Sequence, residues 1–388
     1  MSRDSPLLTS KPIRLDCSPN HDTTREQAAP ASSSSSSSVM TLESSEIDGL
    51  PYYNVIELIF SEHNTDAKLN VLCNDTRLHI YLFEENFTDS PQLKEKYFFY
   101  LQVAEEFELD GVTVEDFYDW ITEPFLPLLR SILPPDQYKT PTLQDFFYPK
   151  ILTYTLKGVA SGERFPSLYE VYGQDKLSME LGIRLLNELS APWPRFRPSE
   201  IEICARSPSA ALSGTPRKVK LAGGSEVFFL KLLYVGDQHR AALEFGNYKR
   251  IVDLGLEKEG LRISHLLGLL QDDSGFLLGF LHPYIGCRAL NLMCAVKPGL
   301  QDDLRRRWAG QVMSTVHRLH TAGTLWGNAK AENVLVDIYD NAWVADFGGG
   351  YTEEWVDKEM AGTVEGDLQG LANILEHLGV SKEFAAAI

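Results

Sequence analysis

The chain has 388 residues, 44% of them hydrophobic, which is enough apolar material for more than one buried core. Its 54 acidic residues outnumber 36 basic ones, for a formal net charge of −18, and this argues against a nucleic-acid partner, whose phosphates need clustered Lys and Arg. Five scattered cysteines (Cys17, Cys73, Cys204, Cys287, Cys294) form no C-x-x-C pair and have no histidine at ligand spacing, so no zinc site is expected and reduced thiols are the simplest account. The amino terminus lacks the apolar core of a secretory signal, and the most apolar stretch, 265–285, is interrupted at 271–275. An intracellular protein, cytoplasmic or nuclear and without a membrane span, is the expectation.

Residues 1–48 are rich in Ser, Pro, Thr and charge, with an unbroken serine run over 32–38. Such a segment buries too little apolar surface to offset its ordering entropy, so a disordered tail is predicted. From 49 onward the composition becomes globular. Alternation over 71–83 predicts a hairpin turning at 74–77, and helical spacing predicts helices over 92–107, 114–132 and 142–156. The second opens on the capping signature T-V-E-D and carries Phe117, Trp120, Phe125 and Leu128, aromatic and aliphatic residues that read as core. Residues 49–199 are therefore expected to form a mainly helical α+β domain. Pro192, Pro194 and Pro198 mark a linker out of it.

The pattern then changes to strands at 201–205, 218–221 and 226–233, with Gly223–Gly224 as a hairpin turn between the last two. A helix is predicted over 238–254. Two further strands follow, 261–270 and 276–285, joined by a turn at 272–274, and a long helix over 302–322. Within the third strand Lys231 is flanked by Phe228, Phe229 and Leu232, and a lysine on such a half-buried strand needs a carboxylate partner to stay charged.

The long helix leads into W-G-N-A-K-A-E-N, residues 326–333. An apolar strand, a polar turn at 339–341 and a second apolar strand separate it from V-A-D-F-G-G-G, residues 344–350. In this order of strands, helices, loop, hairpin and Asp-Phe-Gly, residues from about 200 to 380 resemble the protein-kinase superfamily. The two motifs are most similar to a divergent group of fungal kinase-like proteins, which often carry an amino-terminal helical region.

That resemblance implies an α+β, two-lobed kinase-like fold, with the smaller lobe at 200–286 and a truncated larger lobe at 287–388. It implies ATP and Mg²⁺ as ligands. Lys231 would hold the α- and β-phosphates and Glu244 would aim it, while Asn333 and Asp346, thirteen residues apart, would hold the metal. Lys330 would lie near the transferred phosphate, Asp367 would support the loop from below, and adenine would lie against 281–285.

The departures are specific. Asn328 stands where the catalytic aspartate belongs, five residues before Asn333, and Trp326 and Gly327 replace the usual His and Arg. An amide cannot accept the substrate proton, and loss of general-base help costs about 10²–10⁴-fold in rate. Gly327 removes the arginine that senses a phosphorylated activation segment. No G-x-G-x-x-G occurs in the first strand turn, 207–214, and no A-P-E follows Asp346. The expected function is an ATP- and Mg²⁺-binding protein with weak or atypical phosphotransferase activity. The alternative is a pseudokinase or scaffold that takes a protein partner through 49–199. A small-molecule kinase ranks last, because such enzymes keep an aspartate at the Asn328 position.

Overall fold

The computed structural model describes residues 53–60, 65–106, 108–170, 181–185, 192–212, 214–256, 260–287 and 291–380. The serine-rich segment 1–48 lies outside the described residues. The chain is mixed α+β, built on two large sheets and a set of helices.

The first sheet begins as a meander of β1 (Tyr53–Phe60), β2 (Ala67–Cys73) and β3 (Thr76–Leu82). Asn74, at φ 55°, makes the β2–β3 turn, a conformation that asparagine tolerates better than most residues. A crossover follows, made of α1 (Pro91–Glu106), a small hairpin of β4 (Glu108–Leu109) and β5 (Val112–Thr113), α2 (Val114–Thr122), α3 (Leu126–Ser131) and α4 (Leu143–Phe147). It returns to β6 (Lys150–Gly158), parallel to β3, and then to β7 (Arg164–Leu168), in the order β1-β2-β3-β6-β7. One core lies between this sheet and the crossover, where Phe87, Tyr97, Phe117 and Phe125 are all fully buried with Leu69, Val71 and Ile80.

Two helical expectations change here. The T-V-E-D signature does start a helix, with Thr113 N–H donating to Asp116 Oδ2 at 2.8 Å, but the single helix over 114–132 is divided around Pro124 and Pro127. The helix over 142–156 survives only as α4. Pro149 has no N–H to donate, and the β-branched Ile151, Thr153 and Thr155 beyond it alternate along β6. With β1 and β7 added, this region is organised around a sheet and is not mainly helical.

The second sheet has six strands. In chain order they are β8 (Arg195–Phe196), β9 (Ile201–Ile203), β10 (Lys218–Leu221), β11 (Val227–Leu232), β12 (Gly268–Gln271) and β13 (Leu277–Pro283). Their spatial order is β8-β12-β13-β11-β10-β9. A short helix, α5 (Pro208–Leu212), occupies the β9–β10 connection, with Ala211 and Leu212 buried. Helix α6 (Gln238–Asp253) follows β11. The strand expected over 261–270 shortens to β12. Residues before it instead reach toward the C-terminal hairpin, with Ser264 N–H donating to Val344 O at 2.8 Å.

The remainder comprises α7 (Leu292–Ala295), α8 (Asp302–Thr321), the hairpin of β14 (Val334–Val336) and β15 (Ala342–Val344), and α9 (Val364–His377). Their apolar faces join α6 in a second core centred on Trp308, Val312, Trp326 and Phe347. A third core joins the two sheets: Leu72 of β2 and Phe146 of α4 are buried with Ile201, Val219 and Leu230. Arg77, almost fully buried, donates to Phe146 O at 3.1 Å and ties β3 to the same junction. Among the described residues no helix is long and apolar enough to cross a membrane.

Candidate functional site

Glu244 lies on the buried stripe of α6 with Ala241, Phe245 and Tyr248, the spacing that brings residues three and four apart onto one helix face. This face looks toward β11, and Lys231 Nζ reaches Glu244 Oε2 at 2.7 Å. The same ammonium lies 2.8 Å from Asp346 Oδ1. Asp346 leaves β15 with φ 61°, the left-handed region. Its neighbours hold it there: the Phe347 ring is buried edge-on against Tyr248, with centroids 5.1 Å apart, and Asn247 Nδ2 donates to Phe347 O at 2.9 Å. At Gly348 an added Cβ would stand 3.3 Å from Arg240 O, tighter than usual, and in contact with Asp346 Oδ1 at 3.4 Å and Glu244 Oε2 at 3.5 Å, so this glycine lies directly against the trio.

Charge is unevenly distributed over this trio. Burial would lower the pKa of Lys231, but the two carboxylates more than offset it and hold the ammonium charged. Burial pushes the Glu244 carboxyl above its ordinary range despite Lys231. For Asp346 the burial penalty is overcome by the charge and hydrogen bond of Lys231, so its carboxyl stays below the usual range. His282, buried on β13 with Nδ1 2.9 Å from His265 O, is pushed down to about 4 by burial and by Lys231, and it adds no positive charge at neutral pH.

The 326–333 loop is braced from beneath. Asp367, in the first turn of α9 and 2% exposed, accepts from Trp326 N at 2.8 Å, Gly327 N at 2.7 Å and His320 Nε2 at 2.9 Å. The Trp326 indole is fully buried and donates to Ala345 O at 2.9 Å, which locks the loop to the residue before Asp346. Asn328 is thereby placed with Nδ2 2.9 Å from Asp346 Oδ2, and Asn333 Nδ2 donates to Asn328 O at 2.9 Å.

Five of the residues singled out in the sequence (Lys231, Glu244, Asn328, Asn333 and Asp346) thus form one continuous hydrogen-bonded network. Lys330 is not part of it. Its Nζ donates to Thr352 Oγ1 at 3.2 Å, and it reaches Asp346 only through its field. The contributions of Asn247 and His282 were not anticipated. Asn247 had a usable signal, since it lies one helical turn after Glu244. His282, in the apolar run L-L-G-F-L-H-P, had none. The residues expected to meet adenine divide: Leu281 is fully buried in the third core, whereas Pro283–Ile285 border a cleft of about 670 Å³ facing the β14–β15 turn. Neither that cleft nor a smaller one of about 400 Å³ beside α8 is lined by Lys231, Glu244, Asn328 or Asp346. The site is therefore defined by its chemistry and not by cavity size.

The donor set is a poor cage for a resident Mg²⁺, which wants several free oxygens in near-octahedral array. Asp346 has both oxygens engaged by protein donors and Glu244 Oε2 is taken by Lys231, while Asn333, whose Nδ2 donates to Asn328 O, has only a neutral amide oxygen to offer. Among the described residues no group of three or more His, Cys, Asp or Glu side chains is arranged to hold a metal ion. The site does offer a fixed, charged lysine beside polar amides, a suitable receptor for an anionic phosphate group.

No protein-family model matches the chain. Over 130 residues, 34% of its length, the chain is 23% identical to serine/threonine-protein kinase MRCK gamma of Mus musculus, and it spans only 8% of that protein. The chain thus shares a partial likeness with a serine/threonine kinase.

Proposed function

We propose that residues from about 200 to 380 form a two-lobed, kinase-like unit whose cleft binds ATP at Lys231, with phosphotransfer weak, atypical or lost. The observation that carries this reading is the Lys231 ammonium bracketed by Glu244 and Asp346, a lysine held charged at the junction of sheet, helix and loop. The partial similarity to a serine/threonine kinase supports the same class. The finer likeness to divergent fungal kinase-like proteins rests on the two motifs, residues 326–333 and 344–350.

In this reading Lys231 contacts the phosphates, and Glu244 keeps it aimed. Asn328 orients a hydroxyl without accepting its proton, so any transfer relies on positioning and electrostatics. Mg²⁺, if bound, would be held by Asp346 and Asn333 and would neutralise phosphate charge, but both Asp346 oxygens are already engaged by Lys231 and Asn328.

Thermal unfolding tests the reading. ATP at about 100 times its dissociation constant stabilises by roughly 2.7 kcal/mol, so the wild type should show a clear upward shift that Lys231→Met abolishes. An unshifted wild type across a wide ATP range would remove nucleotide binding from the account.

A second reading, a scaffold that takes a protein partner through 49–199, is favoured by the edge of the first sheet. Strand β7 pairs only with β6 among the described residues, and Phe165 and Leu168 on it are 42% and 76% exposed. An exposed strand edge with apolar side chains suits β-strand addition by a partner.

A further inference from the structure

A carboxylate can only accept hydrogen bonds, so the group of Asn328 that faces Asp346 is its NH₂. That amide donates to Oδ2 at 2.9 Å while Lys231 donates to Oδ1 at 2.8 Å. Both oxygens of the one carboxylate suited to a cation are therefore satisfied by the protein. The backbone that presents Asn328 is itself held, because Asn333 Nδ2 donates to the Asn328 carbonyl and Asp367 fixes the preceding two backbone N–H groups.

The consequence follows from replacing one atom. An aspartate at 328 would set a second anionic oxygen at about hydrogen-bond distance from Asp346 Oδ2, and like charges that close cannot both stay ionised without a cation between them. Asparagine removes that charge and turns an acceptor into a donor. Within the network itself one positive group, Lys231, is shared by two negative ones, Glu244 and Asp346.

We propose that the Asn328 amide takes the place of a divalent cation on Asp346, so that the cleft receives a nucleotide phosphate group without Mg²⁺. This rests on the nucleotide-binding reading given above and specifies its metal requirement. It makes Asn328 a positioning residue for Asp346.

The test is thermal unfolding of the full chain with ATP plus EDTA and with ATP plus Mg²⁺. The wild type should shift by the same amount in both. Asn328→Asp should bind ATP about tenfold or more tightly with Mg²⁺ than with EDTA, a difference of about 1.4 kcal/mol or more. Asn328→Ala, which has neither donor nor charge, should lose part of the EDTA shift and regain some of it with Mg²⁺; it decides the matter if Asn328→Asp fails to fold. Mn²⁺ binding to the nucleotide-free protein, read by its paramagnetic resonance signal, should be absent in the wild type and present in Asn328→Asp. A wild-type shift that requires Mg²⁺ overturns this inference while leaving nucleotide binding intact. No shift in either condition overturns the nucleotide reading and this inference with it.

Discussion

Lys231 shares one charge between two carboxylates of unequal exposure, with the Glu244 side chain 3% and that of Asp346 34% accessible. Removing the lysine strands the more deeply buried one. Breaking a fully buried pair from one side costs about 3–5 kcal/mol, but the Lys231 side chain is a third exposed and solvent screens part of that. Lys231→Met is expected to destabilise by about 2 kcal/mol, seen as a lower urea midpoint, and Glu244→Gln by less. Two buried histidines contribute to the acid side of stability. His79 is pushed down to about 3, by burial first and then by Lys68 and Arg77, and His282 to about 4. The unfolded chain takes up these protons below pH 6.5, whereas the folded chain resists them until pH 3–4. Stability is therefore fully present above pH 6.5 and lost as the pH falls, by up to about 1.4 kcal/mol per pH unit for each histidine. Urea midpoints at pH 7.5 and 5.0 should show this loss, and His79→Leu should flatten it. An identical midpoint at both pH values would count against buried neutral histidines.

At the scale of elements, the 326–333 loop owes its shape to α9. Asp367→Ala would leave the buried N–H of Trp326 and the partly buried N–H of Gly327 without partners, at about 1–3 kcal/mol each. Chemical denaturation should register a loss of about 2–5 kcal/mol. Gly370 of the same helix lies so close that an added Cβ would stand 2.4 Å from Ala329 O, a backbone atom that cannot swing aside. Gly370→Ala is expected to cost about 1–3 kcal/mol through overpacking and to displace the loop that carries Asn328. Leu368, on the exposed face of α9, serves as the control, and its replacement by Ala should change stability by no more than about 0.5 kcal/mol. If all three variants behave alike, α9 does not brace the loop.

Across the whole molecule, the third core is the coupling between the two sheets. Leu72 contributes from β2, Phe146 from α4 and Leu230 from β11, and Ile203 N–H donates to Pro141 O at 2.9 Å alongside them. Truncating one of these side chains leaves a cavity shared by both halves. Phe146→Ala should cost about 3–5 kcal/mol and Leu72→Ala about 2–5 kcal/mol. Because the core is common, tryptophan fluorescence and far-ultraviolet circular dichroism should report one transition in the wild type, moved as a whole by either substitution. Two separated transitions in the wild type would show that the sheets unfold independently.

Features set by near neighbours could be read along the chain. The capping signature at Thr113, the apolar stripe of α6, the long α8 and the β14–β15 hairpin each depend on residues a few positions apart, and their periodicity marks them. Reading 142–156 as a helix failed because its apolar spacing suits helix and strand alike, and Pro149 together with the β-branched run settles the choice only once β3 offers a neighbour for β6. The two segments around Asn328 and Asp346 were legible as motifs, down to the thirteen residues between Asn333 and Asp346. What the motifs could not contain were the contacts between distant parts of the chain. Lys231 and Asp346 are 115 residues apart, and the Asn328–Asp346 hydrogen bond depends on a loop held by Asp367 from forty residues further on. Composition and local spacing select which groups are present. Only packing of β11, α6, β15 and α9 brings their polar atoms within 3 Å of one another, because hydrogen-bond and charge energies decay over a few ångströms and local sequence carries no information on that scale between remote segments.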